Sequence, residues 1–395
     1  MKILIAPDKF KGALNARDVA ENIAKGLCDA APDAKIDIVP MADGGEGTAE
    51  AICDGRGGSW VKCKAEDPIG RETDARYVWI KNGKLAVMEM SEAAGMRRLS
   101  EKERDPVRAT TFGVGEMILD AARRGANEIT IGLGGSASND GGFGMARAMG
   151  FRFFSNEREL IDGVSELREL TKIEAPAAAN ISPARTVSPA SSKMQPKWLS
   201  RQLKIIAAVD VQNPLLGDNG STRVFGRQKG ASEDELRILE EALTRLADVI
   251  AKESGFDYRN KPGAGAAGGL GFGLMSFCGA TIRPGFDVVA EAVRLESKMK
   301  DVDVVITGEG SLDRQTLQGK TAAGVARLAR KLGKKVFAIV GRYDGDRQVR
   351  ELFDDVYQLA RPDMSQKEQM KHAGELMREK ACHLAKRLQS GCQTR

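Results

Sequence analysis

The chain has 395 residues, 42% of them hydrophobic, and its 60 basic and 55 acidic residues leave a net charge of +5. This length exceeds one ordinary domain core, and the apolar content excludes a disordered chain. The two signs of charge are mixed along the chain without a basic arm or an aromatic-interleaved basic patch. Nucleic acid is therefore not an expected partner.

The N-terminal segment predicts an alternation of strands and helices. Short apolar runs at 2–7 (KILIAP) and 35–40 (KIDIVP) indicate strands, whereas 16–27 has helical periodicity. This rhythm is typical of an α/β layer structure. Asp8 and Asp43 each follow one of these strands, at the edge where open α/β sheets bind ligands. Capping of a loop or turn is the alternative role for either residue.

The middle of the chain has a different pattern of predicted elements from the N-terminal segment. ARYVWI and KLAVMEM predict paired strands around the turn KNGK, followed by a helix and the strand EITIGL. We therefore predict a two-domain α/β protein. A Rossmann- or flavodoxin-like domain is built from residues 1–64 and 286–395, and a second α/β domain, 65–285, is inserted into it. The Pro/Ala/Ser-rich stretch 174–198 is expected to be an exposed, mobile insertion without chemistry. The last amphipathic helix is expected at about 365–388.

Glycines are concentrated after the strand EITIGL, in the run GLGGSASNDGG (132–142). GLGGSA fits a dinucleotide fingerprint, but the glycines continue to Gly144 and delay the helix that this fingerprint requires. A nest of backbone N–H groups suited to phosphate is the favoured interpretation. Its members are Gly134, Gly135, Ser136 and Asn139. A purely structural turn is the alternative.

A second glycine-rich run, 263–282, carries no charge for 20 residues, yet seven of them are glycine. This composition favours a buried loop leading into a core helix over a membrane span. Its GAGAAG segment lacks a preceding strand, so close ligand approach and tight helix packing both remain open.

The segment TGEGSLDRQTLQGK (307–320) is followed by Thr321, so that residues 319–321 read GKT. It is not a Walker A motif, because that motif requires glycine at position 314 and this chain has arginine there. Glu309 and Asp313 follow a predicted strand, and Lys320 precedes a predicted helix. These residues suit a magnesium and triphosphate site. Solvated loop charges are the alternative interpretation.

The inventory of reactive side chains is restricted. Both histidines lie in a charged C-terminal helix, and the six cysteines show no metal spacing. The N-terminal residues lack the apolar run of a signal peptide, so a reduced, cytoplasmic protein is expected. Glycine-rich loops, scattered acids and lysines such as Lys11 and Lys229 suit ATP-dependent phosphoryl transfer with Mg²⁺.

Seven motifs taken together resemble the bacterial type 1 glycerate kinases, in order from residue 3 to about 360. They are APDKFKGALNA, PMADGGEGT, GLGGSASNDGG, DVQNPLLG, VFGRQKGA, GAGAAGGLG and TGEGSLDRQTLQGK. The resemblance implies a cleft active site between two α/β domains and phosphorylation of D-glycerate by ATP, with 2-phosphoglycerate the more expected product. Lys9 replaces a usual serine, Arg227 replaces a usual proline, and the 174–198 stretch is longer than its counterpart.

For phosphorylation of glycerate, the chemistry of the side chains makes Asp43 the expected general base and Lys11 the expected partner of the substrate carboxylate. Asp8 is the second candidate base. Three alternatives remain at this stage. They are a kinase of the galactokinase and mevalonate kinase type, a dinucleotide-dependent oxidoreductase, and an anion-binding protein without catalysis.

Overall fold

The computed structural model describes residues 1–176, 203–318 and 320–390. The predicted mobile insertion at 174–198 therefore lies outside the described residues from position 177 onward, and its first residue, Glu174, ends a strand.

Strands and helices alternate through most of the chain. The strands are β1 (Lys2–Ile5), β2 (Lys35–Ile38), β3 (Ser59–Glu66), β4 (Glu72–Ile80), β5 (Leu85–Glu89), β6 (Glu128–Gly132), β7 (Arg152–Ser155), β8 (Arg158–Glu159), β9 (Lys172–Glu174), β10 (Lys204–Val209), β11 (Thr281–Pro284), β12 (Val304–Thr307), β13 (Ser311–Leu312), β14 (Lys335–Val340), β15 (Arg342–Tyr343) and β16 (Asp355–Gln358). The helices are α1 (Ala16–Ala30), α2 (Thr48–Arg56), α3 (Ser91–Ala94), α4 (Phe112–Arg123), α5 (Phe143–Ala148), α6 (Ser221–Phe225), α7 (Glu233–Ser254), α8 (Ala266–Cys278), α9 (Gly285–Ala292), α10 (Leu295–Lys300), α11 (Thr321–Lys331), α12 (Arg347–Arg350), α13 (Gln366–Lys371) and α14 (Ala373–Ser390). Short 3-10 helices occur at Met96–Arg98, Glu101–Glu103, Val164–Glu169, Arg227–Lys229 and Arg314–Gln318.

Contacts between residues divide the chain into two compact units. Unit 1 comprises 1–57 and 284–395, and unit 2 comprises 58–283. Both contain parallel strands and helices, which confirms the mixed α/β class. The boundary placed after residue 64 from the sequence would cut β3, which pairs with β4 from Ser59 to Glu66.

Unit 1 is organised around a five-stranded parallel sheet in the order β2-β1-β12-β14-β16. Residues 3–5 of β1 are fully buried because this strand lies inside the sheet. The chain leaves β1 toward β2 on one side and later builds β12, β14 and β16 on the other. The carboxyl ends of β1 and β12 therefore form a topological switch point, the place where such sheets bind ligands.

Helices α1 and α14 belong to the core of unit 1. Asn15 caps α1 by accepting a hydrogen bond from the backbone N–H of Asp18 at 2.8 Å. The single helix predicted at 365–388 is wrong in one respect, because the structure has two helices separated at His372. Ser365 and Glu368 form a capping box that starts the first of them.

Unit 2 contains a six-stranded mixed sheet in the order β11-β10-β6-β5-β4-β3. Strands β5, β6 and β10 are parallel, whereas β3, β4 and β5 are antiparallel neighbours. The antiparallel pairing of β4 with β5 confirms the predicted hairpin, and Lys84 in its turn adopts φ 49°. The glycine-rich loop follows β6, at the carboxyl end of the parallel strands.

Helix α8 occupies the uncharged run at 263–282. Its first turn is irregular, because Ala267, Gly268 and Gly269 have φ values of 53°, 72° and 85°. The remainder of the helix is buried. This arrangement confirms the predicted glycine-rich loop leading into a core helix. In the described part of the chain, no helix is both long and apolar enough to cross a membrane.

Candidate active site

The first candidate site lies at the switch point of unit 1, around Asp8. The backbone N–H of Asp8 donates to the carbonyl of Gly308, which joins the loops after β1 and β12 at 2.8 Å. The Asp8 carboxylate is buried and accepts hydrogen bonds from the Lys9 backbone N–H at 2.7 Å and from the Thr321 hydroxyl at 2.6 Å. Lys9 and Thr321 thus fix this carboxylate, and Gly308 fixes the backbone that carries it.

The Asp8 carboxyl group has an unusual acidity. Burial, together with the nearby negative charge of Asp43, raises its pKa to about 7. The positive charge of Lys9 and the two hydrogen bonds oppose this shift only in part. A carboxyl group with a pKa near neutrality can exchange a proton at physiological pH, which is what general acid–base chemistry requires.

Asp43 reaches the same region from the loop after β2. Its carboxylate accepts a hydrogen bond from the Gly45 backbone N–H at 3.2 Å. Its backbone is tightly packed, because a Cβ added at Gly285 would lie 1.8 Å from the Asp43 carbonyl oxygen. Any side chain at position 285 would therefore displace the Asp43 loop.

The third loop of this site carries Glu309, Asp313 and Lys320. Thr316 links the two acids, since its hydroxyl donates to the Glu309 carboxylate at 3.0 Å and accepts from the Asp313 backbone N–H at 3.2 Å. Lys320 lies 3.9 Å from the Asp313 carboxylate, with both side chains about one-third exposed. Asp313 therefore forms a partly solvated ion pair with Lys320, as the alternative of solvated loop charges expects.

Glu309 differs from Asp313 because it is buried. Burial raises the pKa of Glu309 to about 7, whereas the charge of Lys320 and the hydrogen bond from Thr316 lower it. The charge of Asp8 raises the pKa of Glu309 as well, so these two carboxyl groups are electrostatic neighbours. Unit 1 thus brings together four of the acids singled out from the sequence: Asp8, Asp43, Glu309 and Asp313.

A cavity of about 300 Å³, including its opening to solvent, adjoins Asp8. It lies between the N-terminal ends of α1 and α2, and its charged lining consists of Asp8, Lys9, Arg17, Glu46, Glu50 and Asp54. The Lys9 ammonium donates a hydrogen bond to the Glu46 carbonyl. Lys11 is exposed and is not part of this lining. The lysine that departs from the resembled pattern is therefore the one beside the buried carboxylate.

The second candidate site is the loop after β6 in unit 2. Gly135 adopts φ 70°, a conformation that glycine tolerates best. Within the described residues, the backbone N–H groups of Gly134, Gly135 and Ser136 have no hydrogen-bond acceptor. The Gly135 carbonyl accepts from the backbone N–H of Met96 at 2.9 Å, which fixes the direction of this peptide. Free N–H groups on a fixed loop can bind an anion.

The later part of this loop has a structural role. The Asp140 carboxylate is buried and accepts four hydrogen bonds of 2.8–3.1 Å, from the backbone and hydroxyl of Thr111 and from the backbones of Gly142 and Gly144. The Asn139 amide group donates to Thr222 at 3.0 Å and accepts from Ser221 at 3.3 Å. These side chains hold the loop to neighbouring segments of unit 2.

The same distinction applies to the glycines. A Cβ at Gly144 would lie 2.0 Å from the Thr110 hydroxyl, and one at Gly268 would lie 2.0 Å from the Ser138 carbonyl. A Cβ at Gly273 would lie 2.5 Å from the Gly141 carbonyl. Close packing therefore accounts for these glycines: Gly268 and Gly273 lie against the loop, and Gly144 lies against Thr110.

Lys229 is buried beneath this loop. Its ammonium donates to the Ser138 carbonyl at 2.7 Å. Burial lowers the pKa of Lys229 to about 7, and the charge of Asp140 opposes this shift. Arg227, two residues earlier, has an exposed side chain paired with Glu233 at 2.7 Å. Arg227 therefore adds a surface ion pair, whereas Lys229 adds a buried cation.

The buried lysine predicts a pH dependence of stability. Between pH 7 and about 10.4 the unfolded chain holds one more proton on Lys229 than the folded chain, so stability rises with pH across this window. Relative to Lys229→Met, the wild-type free energy of unfolding should increase by roughly 2–4 kcal/mol from pH 7 to pH 10. Urea unfolding at several pH values measures this difference. A difference that is independent of pH would contradict the lowered pKa.

Several contacts at these sites were not predicted from the sequence. Thr321 and Thr316 orient Asp8 and Glu309, and Ser138 accepts the hydrogen bond from Lys229. Thr321 belongs to the GKT tripeptide, so that sequence signal was visible although its Walker A interpretation failed. Ser138 belongs to the glycine-rich loop itself.

Comparison with known proteins identifies a family. The model of the glycerate kinase family matches residues 3–389. The Halalkalibacterium halodurans glycerate kinase is 41% identical over 86% of this chain and 85% of its own. The Escherichia coli glycerate 2-kinase is 41% identical over 88% and 86% of the two chains. A crystal structure of a candidate glycerate kinase 2 from Salmonella typhimurium LT2 has a TM-score of 0.83 and 37% identity, covering 100% of this chain and 99% of its own.

Proposed function

Because the chain belongs to the glycerate kinase family, we propose that it transfers the γ-phosphate of ATP to a hydroxyl group of D-glycerate. The expected product is 2-phosphoglycerate, since one relative at 41% identity is a glycerate 2-kinase. We also propose that the chain is a type 1 member, as its motifs indicate. The observation that carries the chemistry is the pair of buried carboxyl groups, Asp8 and Glu309, whose pKa values are both raised to about 7 at the switch point of unit 1.

The other kinases and the oxidoreductase considered from the sequence gain no support. A family model that matches residues 3–389 leaves little of the chain for the motifs of another superfamily. Gly265 and Gly268 of the GAGAAG segment are explained by packing against the Pro214 and Ser138 carbonyls, and Gly263 by packing against Ile282, rather than by a dinucleotide.

The acceptor hydroxyl is proposed to be deprotonated by Asp43, with Asp8 as the second candidate base. Asp43 lies close enough to Asp8 for its charge to raise the pKa of Asp8, so Asp8 holds a proton more readily when Asp43 is ionised. Lys11 remains the proposed partner of the glycerate carboxylate. Lys9 supplies a second cation at the cavity beside Asp8.

Mg²⁺ is proposed to be held by Glu309 and Asp313. Buried Glu309 receives one hydrogen bond on its carboxylate, from Thr316, and hard oxygen donors of this kind suit Mg²⁺. Among the described residues, no group of three or more His, Cys, Asp or Glu side chains is arranged to hold a metal ion. Two carboxylates suffice because Mg²⁺ completes its coordination with phosphate oxygens and water. When bound, it would neutralise charge on the phosphate oxygens.

The metal proposal predicts different effects for neighbouring side chains. Glu309→Gln and Asp313→Asn should each raise the Mg²⁺ concentration for half-maximal rate by at least about tenfold. Lys320→Ala should weaken ATP binding by about 1 kcal/mol, roughly fivefold in Kd, without that shift in Mg²⁺ dependence. Initial rates measured across Mg²⁺ and ATP concentrations test both statements. Unchanged Mg²⁺ dependence in both acid variants would place the metal elsewhere.

In unit 2, Gly134, Gly135, Ser136 and Asn139 are proposed to bind nucleotide phosphates. The free backbone N–H groups of the first three support this role. The Asn139 side chain is engaged by Thr222 and Ser221, so its proposed contribution is its backbone N–H.

Unit 1 is proposed to be the Rossmann- or flavodoxin-like domain built from both ends of the chain, and unit 2 the inserted domain. The position of the active site between two domains stays a prediction. A cytoplasmic location stays a prediction as well. The five cysteines in the described residues are free, which fits a reducing compartment.

The product distinguishes the proposed reaction from its close variants. After incubation with ATP, Mg²⁺ and D-glycerate, the phosphorus–proton couplings of the product in NMR spectra identify the phosphorylated carbon. We expect the phosphate on carbon 2. A phosphate on carbon 3 would leave the kinase activity intact and overturn the assignment of the hydroxyl.

A further inference from the structure

We infer that Lys229 is a positioning residue of the phosphate loop in unit 2, supplying the positive charge that attracts the nucleotide phosphates. This inference rests on the proposed function, because it takes the loop at 134–139 to be the phosphate site. It adds a side chain from a distant 3-10 helix, Arg227–Lys229, to that site.

The first observation is that the Lys229 charge lacks a counter-ion in contact. Its ammonium group has three N–H bonds and one hydrogen-bond acceptor in the described structure, the Ser138 carbonyl at 2.7 Å. The negative charge of Asp140 acts on Lys229 without a hydrogen bond between the two side chains in the described structure. The Asp140 carboxylate is already occupied by four donors from Thr111, Gly142 and Gly144. Burying a positive charge without a paired anion costs free energy, and binding of an anion nearby would offset that cost.

The second observation is that the hydroxyl group of Ser138, the residue whose carbonyl binds Lys229, has no hydrogen-bond partner in the described structure. Ser138 is fully buried. The carbonyl of the same residue accepts from Lys229 and, at 3.4 Å, from the Ser136 hydroxyl. Buried polar groups in folded proteins are nearly always paired, and the unpaired Ser138 hydroxyl can still donate a hydrogen bond to a further acceptor.

The third observation concerns the side of the loop that faces solvent. Gly135 is exposed and Gly134 is half-buried, and neither their N–H groups nor that of Ser136 has an acceptor among the described residues. Three adjacent unpaired N–H donors match the three terminal oxygens of a phosphate better than the two of a carboxylate. The loop therefore offers unpaired N–H donors from Gly134 to Ser136 and binds a buried lysine through the Ser138 carbonyl.

Lys229 acts through the loop rather than by contact. Its hydrogen bond draws the Ser138 carbonyl inward, and its charge adds to the field of the N–H groups. An anion at the loop should favour the protonated lysine. Burial lowers the pKa of Lys229 to about 7, so at pH 8.5 the ligand-free residue is mostly neutral and must gain a proton when phosphate binds.

Isothermal titration calorimetry can detect this proton. The wild-type protein is titrated with MgATP at pH 8.5 in two buffers of different ionisation enthalpy, which gives the number of protons taken up. We expect an uptake approaching one proton. Lys229→Met should abolish the uptake and raise the ATP Kd at least about fivefold. Lys229→Arg, which stays charged, should bind ATP without proton uptake.

Controls separate this inference from the function on which it rests. Lys252→Met removes an exposed lysine from the same unit and should keep both the wild-type Kd and the uptake. Wild-type binding without uptake, or a Lys229→Met protein with wild-type Kd and uptake, would overturn the role of Lys229 alone. A wild-type protein that does not bind MgATP would overturn the proposed function as well. D-glycerate titrated alone should show no uptake that depends on Lys229, and an uptake there that Lys229→Met abolishes would assign the site to the substrate carboxylate and overturn the nucleotide assignment.

Discussion

The Asp43→Asn variant should phosphorylate D-glycerate at least about 100-fold more slowly than the wild type, with an ATP Kd within about twofold. Asparagine keeps the shape of the side chain and can still accept the hydrogen bond from Gly45. It removes the negative charge that the proposed general base needs. Steady-state rates and nucleotide titration measure the two quantities separately.

The matched control for this variant is Asp37→Asn, an exposed acid on β2, which should retain wild-type turnover. If Asp43→Asn retains full turnover while Asp8→Asn loses it, the base is Asp8. The variant also has a second readout. Because the charge of Asp43 raises the pKa of Asp8, its removal should shift the acidic limb of any activity controlled by Asp8 to lower pH.

The Gly268→Ala variant should lose at least about 3 kcal/mol of folding free energy. Its Cβ would lie 2.0 Å from the Ser138 carbonyl and 2.8 Å from the Asn139 Cα, both backbone atoms that cannot move independently of the loop. The residue also has φ 72°, which adds about 1–2 kcal/mol of strain for alanine. Urea unfolding gives the total loss.

Gly255→Ala isolates the strain from the clash. Gly255 ends α7 with φ 77°, and a Cβ there would meet no atom within 4 Å. This control should lose only about 1 kcal/mol. Equal losses in the two variants would mean that the loop does not pack on α8 as described.

The predictions from sequence succeeded where the signal is local. Periodicity identified β1, α1 and the β4–β5 hairpin, because each depends on neighbouring residues. The break at His372 was missed because the hydrophobic pattern continues across it. The capping box of Ser365 and Glu368 marks only the start of α13, which agrees with the predicted start at about residue 365. The domain boundary predicted after residue 64 cuts β3. The extent of this strand is set by its pairing with β4, which the local sequence does not show.

The glycine-rich loop shows why the rest could not be predicted. A glycine needed for ligand approach and one needed for backbone packing look alike in a sequence. Only the contact of Gly268 with Ser138, 130 positions away, separates the packing glycines from Gly134 and Gly135. The burial of Lys229 and the hydrogen bond from Thr321 to Asp8 likewise depend on residues far apart in the chain.

The most direct test of the proposed function is the release of ADP by the purified protein with Mg²⁺ and ATP, measured with D-glycerate, mevalonate and galactose as separate acceptors. The proposed function predicts rapid ADP release with D-glycerate and only background release with the other two. The Asp43→Asn protein provides the inactive reference. Release that does not depend on D-glycerate, or that is faster with mevalonate or galactose, would contradict the assignment of this chain as a glycerate kinase.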